Sequence, residues 1–406
     1  TRHMIDRHLR NAAFSREFGR QMRFIAGPRQ SGKTTLARHK LKEEACGRCY
    51  FNWDLRSVRS SYAQNPSFFM ENCAASKRGK HWVCFDEIHK MPKWKNILKG
   101  AFDEYEKEIQ LIVTGSARLD WFRRSGDSLA GRYFLFRLLP VTLRELACKK
   151  LTGKPSVNAL DFIDSRIGSN KETPDAMKSL LEFSGFPEPL TRQSKAFHKR
   201  WHDAYIDQLI KDDLRDLTHI RELENIATLI DILPSHIGNP LSVNALTQNL
   251  QTSYNAAKNY LKALDLAYVI FQITPYNKKI ARSVKKEKKI YFYDWTRVPN
   301  PSFRFENFVA AELHALITLF NDSGFGPFDL NYIRTKDGRE SDFLIVNQGK
   351  PWLIIEAKLA QTSIDSHHYK HARELGEIPI VQLIAQSNAA KRVSKNSYII
   401  SAARFL

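Results

Sequence analysis

The chain has 406 residues, 43% of them hydrophobic, and carries 63 Lys and Arg against 43 Asp and Glu for a formal charge of +20. That length holds two or three domains with real cores, and with no run of about 18 apolar residues a membrane span is not expected. The cationic excess favours an anionic partner, nucleic acid first, over the plainer alternative of a solvated basic surface. Five cysteines, an odd and low number, argue against a disulfide framework and for a reducing, cytoplasmic setting.

Residues 5–20 read as an amphipathic lead-in helix and 22–26 as a short buried strand. Behind it stands Gly27-Pro28-Arg29-Gln30-Ser31-Gly32-Lys33-Thr34, a full G-x-x-x-x-G-K-[ST] phosphate loop, with Thr35 opening a helix. The glycines let the backbone amides turn toward phosphate, and the helix start adds positive potential at the same place. Gly27 to Thr35 are therefore the expected ATP-binding residues, with Lys33 on the β/γ-phosphates and the Thr34 hydroxyl on Mg²⁺. Residues 49–53 form the next strand. Cys46-Gly47-Arg48-Cys49 lacks the second pair that a structural zinc site needs, so it reads as a local coincidence. The apolar run 81–85 ends in Asp86 and Glu87, a Walker B pattern in which Asp86 holds Mg²⁺ and Glu87 polarises the attacking water. Residues 109–113 are a further strand, after which Thr114 or Ser116 can contact the γ-phosphate. Residues 133–138 are the last strand of this half. Arg132, just before it, suits a finger for a neighbour's γ-phosphate. That role implies a homo-oligomer; the alternative is a surface or DNA-facing charge, like Arg118, Arg123 and Arg124.

Gly27 to Thr35, Phe85-Asp86-Glu87-Ile88-His89-Lys90 with Trp94 and Leu98, Thr114-Gly115-Ser116-Ala117, and Gly131-Arg132 together resemble a widespread prokaryotic AAA+-type ATP-binding family with a C-terminal domain of undefined function. The resemblance implies an α/β ATPase core over 5–140 with additional strands between the Walker motifs and Glu87 as the catalytic acid. It also implies Thr114 or Ser116 as the sensor on the fourth strand, and a helical lid and linker over 141–220. Gly185-Phe186-Pro187-Glu188-Pro189 also matches the family's linking region, although Ser184 stands where many relatives have a first glycine.

Residues 142–220 show helical spacing punctuated by Pro155, Gly168 and Pro174. Residues 221–300 read as a winged helix-turn-helix with a basic segment. Helices are expected over 223–233, 243–250 and 254–266, and a strand over 268–274 begins the wing. Tyr254, Asn255, Lys258, Asn259 and Lys262 share one exposed face: the lysines suit phosphate and the asparagines base edges, with a purely packing role as the alternative. Residues 276–300 hold Lys278, Lys279, Arg282, Lys285, Lys286, Lys288, Lys289 and Arg297, with Tyr276, Tyr291, Phe292 and Tyr293 among them. That composition suits a phosphate backbone with aromatic stacking.

Residues 301–406 carry a second constellation. Strands over 341–346 and 352–358, joined by a turn at Gly349, would set Asp342 opposite Glu356 and put Lys358 on the same face. Two facing carboxylates make a Mg²⁺ site, and the lysine can orient water or offset developing charge. Glu306, at the start of a helix over 304–320, supplies a third acid. Asp-x13-Glu-x-Lys with an upstream glutamate resembles the PD-(D/E)XK nuclease fold, which implies a small α/β domain with Glu306, Asp342, Glu356 and Lys358 as its site. The reading is an ATPase that binds DNA and couples its nucleotide state to a Mg²⁺-dependent nuclease-like domain. The rival is an ATPase switch or scaffold whose C-terminal half binds protein without cleavage.

Overall fold

Five short apolar runs become parallel strands, and the central ones, Met22–Ala26 and Ile109–Thr114, are buried along their whole length, as parallel strands between helical layers must be. They are β1 (Met22–Ala26), β2 (Tyr50–Asn52), β3 (His81–Asp86), β4 (Ile109–Thr114) and β5 (Tyr133–Arg137). Their order is β2-β3-β4-β1-β5, every neighbouring pair parallel. Parallel pairing requires crossovers, supplied by helices such as Lys33–Glu43 and Trp94–Tyr105. Because β4 lies between β1 and β3, the strand carrying the phosphate loop and the strand ending in Asp86 flank the one ending in Thr114. The expected lead-in helix is interrupted: Leu9–Ala13 is α-helical and Arg16–Phe18 a 3₁₀ turn. Ser15 caps that turn by accepting from the Glu17 amide. The buried Arg23 guanidinium then donates to the carbonyls of Ser15, Phe18 and Gly19 at 3.1–3.2 Å, which a continuous helix would not offer.

The computed structural model describes residues 5–71, 80–115, 129–147, 158–169, 172–214, 222–277, 287–360 and 363–406. The chain divides into two compact units, Arg7–Leu139 with Leu266–Tyr268, and Pro140–Asp265 with Val269–Leu406, the latter also taking in the first residues. Among the described residues no helix is long and apolar enough to cross a membrane.

The second unit opens with helices Leu143–Ala147, Ala159–Ser169, Pro174–Phe183, Pro187–Arg192 and Lys195–Gln208. Ser184 takes the left-handed backbone at φ 72° that ends the third of these, so the glycine-like turn is kept without glycine. Helices Leu223–Ile232, Val243–Asn249 and Tyr254–Leu266 follow, with β6 (Pro240–Leu241), β7 (Ile270–Pro275) and β8 (Lys288–Phe292). Then come helix Pro301–Asp322, β9 (Phe328–Arg334), β10 (Glu340–Asn347), β11 (Lys350–Lys358), helix Ser366–Glu374, β12 (Ile380–Ile384), β13 (Ala390–Ser394) and β14 (Ser397–Ser401). These strands make one sheet in the order β13-β14-β12-β11-β10-β9-β7-β8-β6.

The basic segment differs from its sequence reading. Lys289, Tyr291, Phe292 and Tyr293 are interior, and Arg297 is largely enclosed against Asp294. The reason is that β8 lies between β7 and β6 and is clamped by the helix Pro301–Asp322. The Phe292 amide donates to Asn307 Oδ1 at 2.9 Å, and Asn307 Nδ2 returns a bond to the Phe292 carbonyl at 2.7 Å. These aromatics are core and offer no stacking surface. Lys278, Lys279, Arg282, Lys285 and Lys286 lie outside the described residues.

Candidate active sites

At the carboxyl ends of β1, β3 and β4 the parallel register aligns Asp86 with Thr114, and Thr114 with Ile25, one residue short of the end of β1. The turn leaving β1 takes φ 143° at Gly27, 60° at Gln30 and 98° at Gly32, after which the helix starts at Lys33. A Cβ at Gly27 would run into the carbonyl oxygen of Leu138. Gly27→Ala is therefore expected to abolish binding of an ATP analogue and to lower the first unit's stability, with backbone strain alone costing about 1–3 kcal/mol. Wild-type analogue affinity and thermal midpoint in that variant would remove Gly27 from the loop's design.

Lys33 Nζ folds over the loop and donates to the carbonyls of Gly27 at 3.0 Å and Pro28 at 2.6 Å. The Ser31 hydroxyl is fully buried and finds no hydrogen-bond partner, an orphan inside the phosphate loop. Thr34 Oγ1 donates to Asp86 Oδ2 at 3.0 Å, while the Thr114 and Tyr50 hydroxyls also donate to the Asp86 carboxylate. Glu87 follows in a left-handed backbone at φ 58°. Burial first, and then the charge of Asp86, push its carboxyl up to about 7, against the pull of Lys33 and Lys90. His89 Nε2 lies 3.4 Å from Glu87 Oε2. Arg132 precedes β5 at the opposite end of the sheet from the phosphate loop and pairs with Asp103 at 2.7 Å. Ser116, Arg118, Arg123 and Arg124 lie outside the described residues. Two contributors escaped the sequence reading. Tyr50 holds Asp86, and Arg7 ties the loop by donating to the Ser31 carbonyl at 2.9 Å.

In the second unit, Asp342 and Glu356 lie across the β10–β11 pair, one step beyond the partners Phe343 and Ile355. They are laced together: the Asp342 amide donates to Glu356 Oε2 at 3.1 Å and the Ala357 amide donates to Asp342 Oδ2 at 3.2 Å. Lys358 Nζ sits 2.7 Å from Glu356 Oε1. Glu306 is buried on the long helix and accepts from the Tyr291 hydroxyl at 2.8 Å. Burial, and then Asp342, push Glu356 up to about 8; the same two causes push Glu306 up to about 7.

The cation among these acids is a side chain. Lys289 Nζ, fully enclosed, is 2.5 Å from Glu340 Oε1 and 3.4 Å from both Glu306 Oε1 and Asp342 Oδ1. Burial alone would lower its pKa, but the charges of Glu306, Asp342 and Glu340 raise it, so the ammonium stays charged. The sequence reading set Lys289 with the DNA-facing basics and left Glu340 out. Glu340 stands two residues before Asp342, hence on the same strand face, a signal that period-2 reasoning could have used. On the other side of Glu356 stands His368, with Nε2 3.7 Å from Glu356 Oε2. Burial, then the neighbouring His367, lower its pKa to about 4.

Tyr254, Asn255, Lys258, Asn259 and Lys262 are all exposed on the helix Tyr254–Leu266, whose Ala257, Tyr260, Leu261 and Leu264 are buried. Cys46 and Cys49 are buried free thiols.

A five-stranded parallel sheet with this phosphate loop and an Asp-Glu pair at the end of the next strand but one defines an AAA-type P-loop ATPase domain. Residues 19–147 match the model of an AAA domain family, 174–296 a domain of unknown function (DUF8612), and 303–405 another (DUF4143). Uncharacterized proteins of Mycobacterium bovis and Mycobacterium tuberculosis are each 25% identical over 343 residues, covering 81% of this chain and 68% of theirs. Among solved structures, a DNA polymerase III gamma subunit-related protein of Thermotoga maritima is 13% identical with a TM-score of 0.27, covering 64% of this chain and 97% of that one. The Bacillus subtilis DNA clamp loader delta protein is 9% identical with a TM-score of 0.25, covering 74% and 95%. Scores this low carry no argument about fold or partner.

Proposed function

We propose that ATP hydrolysis in the first unit governs a DNA-binding, Mg²⁺-dependent, nuclease-like second unit. The observation that carries the proposal is the reciprocal lacing of Asp342 and Glu356, with Lys358 2.7 Å from Glu356. It puts two hard oxygen donors and an ammonium on one strand pair, as hydrolysis of a phosphodiester requires. In the first unit the Thr34 hydroxyl and Asp86 carboxylate fit Mg²⁺ beside ATP, and the ion there would offset charge on the phosphates. Lys33 would bind the β/γ-phosphates, Glu87 would orient and deprotonate water, and Thr114 would hold Asp86. A homo-oligomer in which Arg132 reaches a neighbour's γ-phosphate belongs to the same proposal. Three helices followed by the antiparallel strands β7 and β8, with β6 paired to β8, support the winged-helix reading. The exposed lysines and asparagines of the helix Tyr254–Leu266 would face DNA.

The test measures ATP turnover with and without DNA, and Mg²⁺-dependent cleavage of plasmid and single strands. DNA should stimulate turnover, and Lys358→Ala should lose cleavage by at least about 100-fold while keeping ATPase activity. DNA-indifferent turnover with no cutting would reject the coupling. A second reading, a switch that binds protein and does not cut, is favoured by the Lys289 ammonium among Glu306, Glu340 and Asp342, where a metal would otherwise supply the positive charge.

A further inference from the structure

We propose that Asp365, His367 and His368 form a site for a divalent ion of the Zn²⁺ class where the helix Ser366–Glu374 begins. It is independent of the carboxylate-cleft reading above, since neither Asp342 nor Glu356 is a ligand in it.

A carboxylate oxygen of Asp365 and one nitrogen of each ring lie within 4.8 Å of one another, a gathering of metal-ligating side chains found nowhere else among the described residues. Ligands around a tetrahedral ion with bonds of about 2.1 Å stand about 3.4 Å apart, so the exposed Asp365 side chain has a short swing to make. Successive helical residues normally point about 100° apart, yet the rings of His367 and His368 are 3.9 Å apart between centroids. The cause is the start of β10, which holds both. His367 Nε2 is 2.8 Å from the carbonyl oxygen of Glu340. A carbonyl only accepts, so Nε2 carries the hydrogen and Nδ1 of the neutral ring keeps its lone pair. His368 Nδ1 is 2.7 Å from Ser341 Oγ. When that nitrogen donates to the hydroxyl, the lone pair of His368 is on Nε2. Metal-binding histidines are held in this way, by a hydrogen bond from the nitrogen that does not ligate.

His368 is 1% exposed and its Nε2 has no hydrogen-bond partner, a costly state for a buried polar atom that a bound ion would relieve. The Glu356 carboxylate nearby is already engaged by the Lys358 ammonium and the Asp342 amide. Asp365 is the N-cap of its helix, but its side chain accepts no bond from the first-turn amides, the usual work of an aspartate there. Its charge instead offsets the repulsion that a helix N-terminus presents to a cation. Two imidazoles and one carboxylate suit Zn²⁺ over Mg²⁺, and three protein ligands leave the fourth place to water.

The experiment titrates ZnSO₄ and MgCl₂ into the nucleotide-free full chain by calorimetry. Zn²⁺ should bind at least about 100-fold more tightly than Mg²⁺. Asp365→Asn changes an exposed residue and keeps a good N-cap, and His367→Gln keeps a donor for Glu340. Each should weaken Zn²⁺ by at least about tenfold. Co²⁺ in place of Zn²⁺ should give the visible bands of a four-coordinate site without thiolate absorption. Zn²⁺ affinity unchanged in either variant overturns the proposal. Thiolate absorption also overturns it, by putting the ion at Cys46 and Cys49. So does a loss in Asp342→Asn with none in Asp365→Asn, which would put the ion at the carboxylate pair.

Discussion

Lys289→Met is expected to destabilise the second unit by about 3–5 kcal/mol, the usual cost of removing one partner from a buried ionic cluster. The methionine keeps most of the packing but leaves Glu306, Glu340 and Asp342 facing one another without the ammonium that is 2.5–3.4 Å from each. Hydrogen exchange at the β8 and β10 amides reads the loss locally, without assuming that the two units unfold together. The sign with pH follows from a raised lysine pKa. On the lysine's side the contribution is complete below the ordinary value of 10.5 and is lost only as pH climbs past the raised one; on the acid side it weakens as pH falls through about 7 and Glu306 takes up a proton, so it is greatest between those two values. A divalent ion added to the variant should recover part of the protection by returning positive charge to the same carboxylates. A loss under about 0.5 kcal/mol would mean that the cluster relaxes into water when the lysine is gone.

Glu87→Gln is expected to bind ATP with little change and to hydrolyse it about 10²–10⁴-fold more slowly, the range for loss of a general base. The wild-type rate should carry an acid limb near pH 7. Burial and Asp86 raise the Glu87 carboxyl from 4.5 to about 7, so the ionised form that accepts water's proton fills in as pH rises through that value and is lost below it. The glutamine variant should lack that limb. Wild-type turnover in Glu87→Gln, or an acid limb near 4.5, would move the catalytic role elsewhere.

The phosphate loop and the Asp86-Glu87 pair were legible because each rests on a local rule: a strand end, a turn demanding glycine, and a helix start. The hairpin pairing of Asp342 with Glu356 was legible for a similar reason, since counting back from Gly349 fixes who faces whom. Lys289 was not. Eight cations in 25 residues look like a solvated surface, and only the pairing of β8 with β6 and β7 shows that this one points inward. Tyr50 and Arg7 were missed for the same kind of reason. Their roles depend on elements far apart in sequence meeting at the end of the first sheet, and neither residue type announces it.

The amide of Asn307 has a consequence beyond holding Phe292. By gripping both the N–H and the C=O of one residue on β8 it acts as a short stand-in strand, and it fixes that strand's slide as well as its position. Displacing β8 by a single residue would turn every side chain to the opposite face. Lys288 or Ile290 would then meet the carboxylates from the wrong direction, and the ammonium would be expelled. A neutral amide on a helix thus joins the β6 and β7 pairings in keeping Lys289 as the internal counter-ion and Lys288 in water.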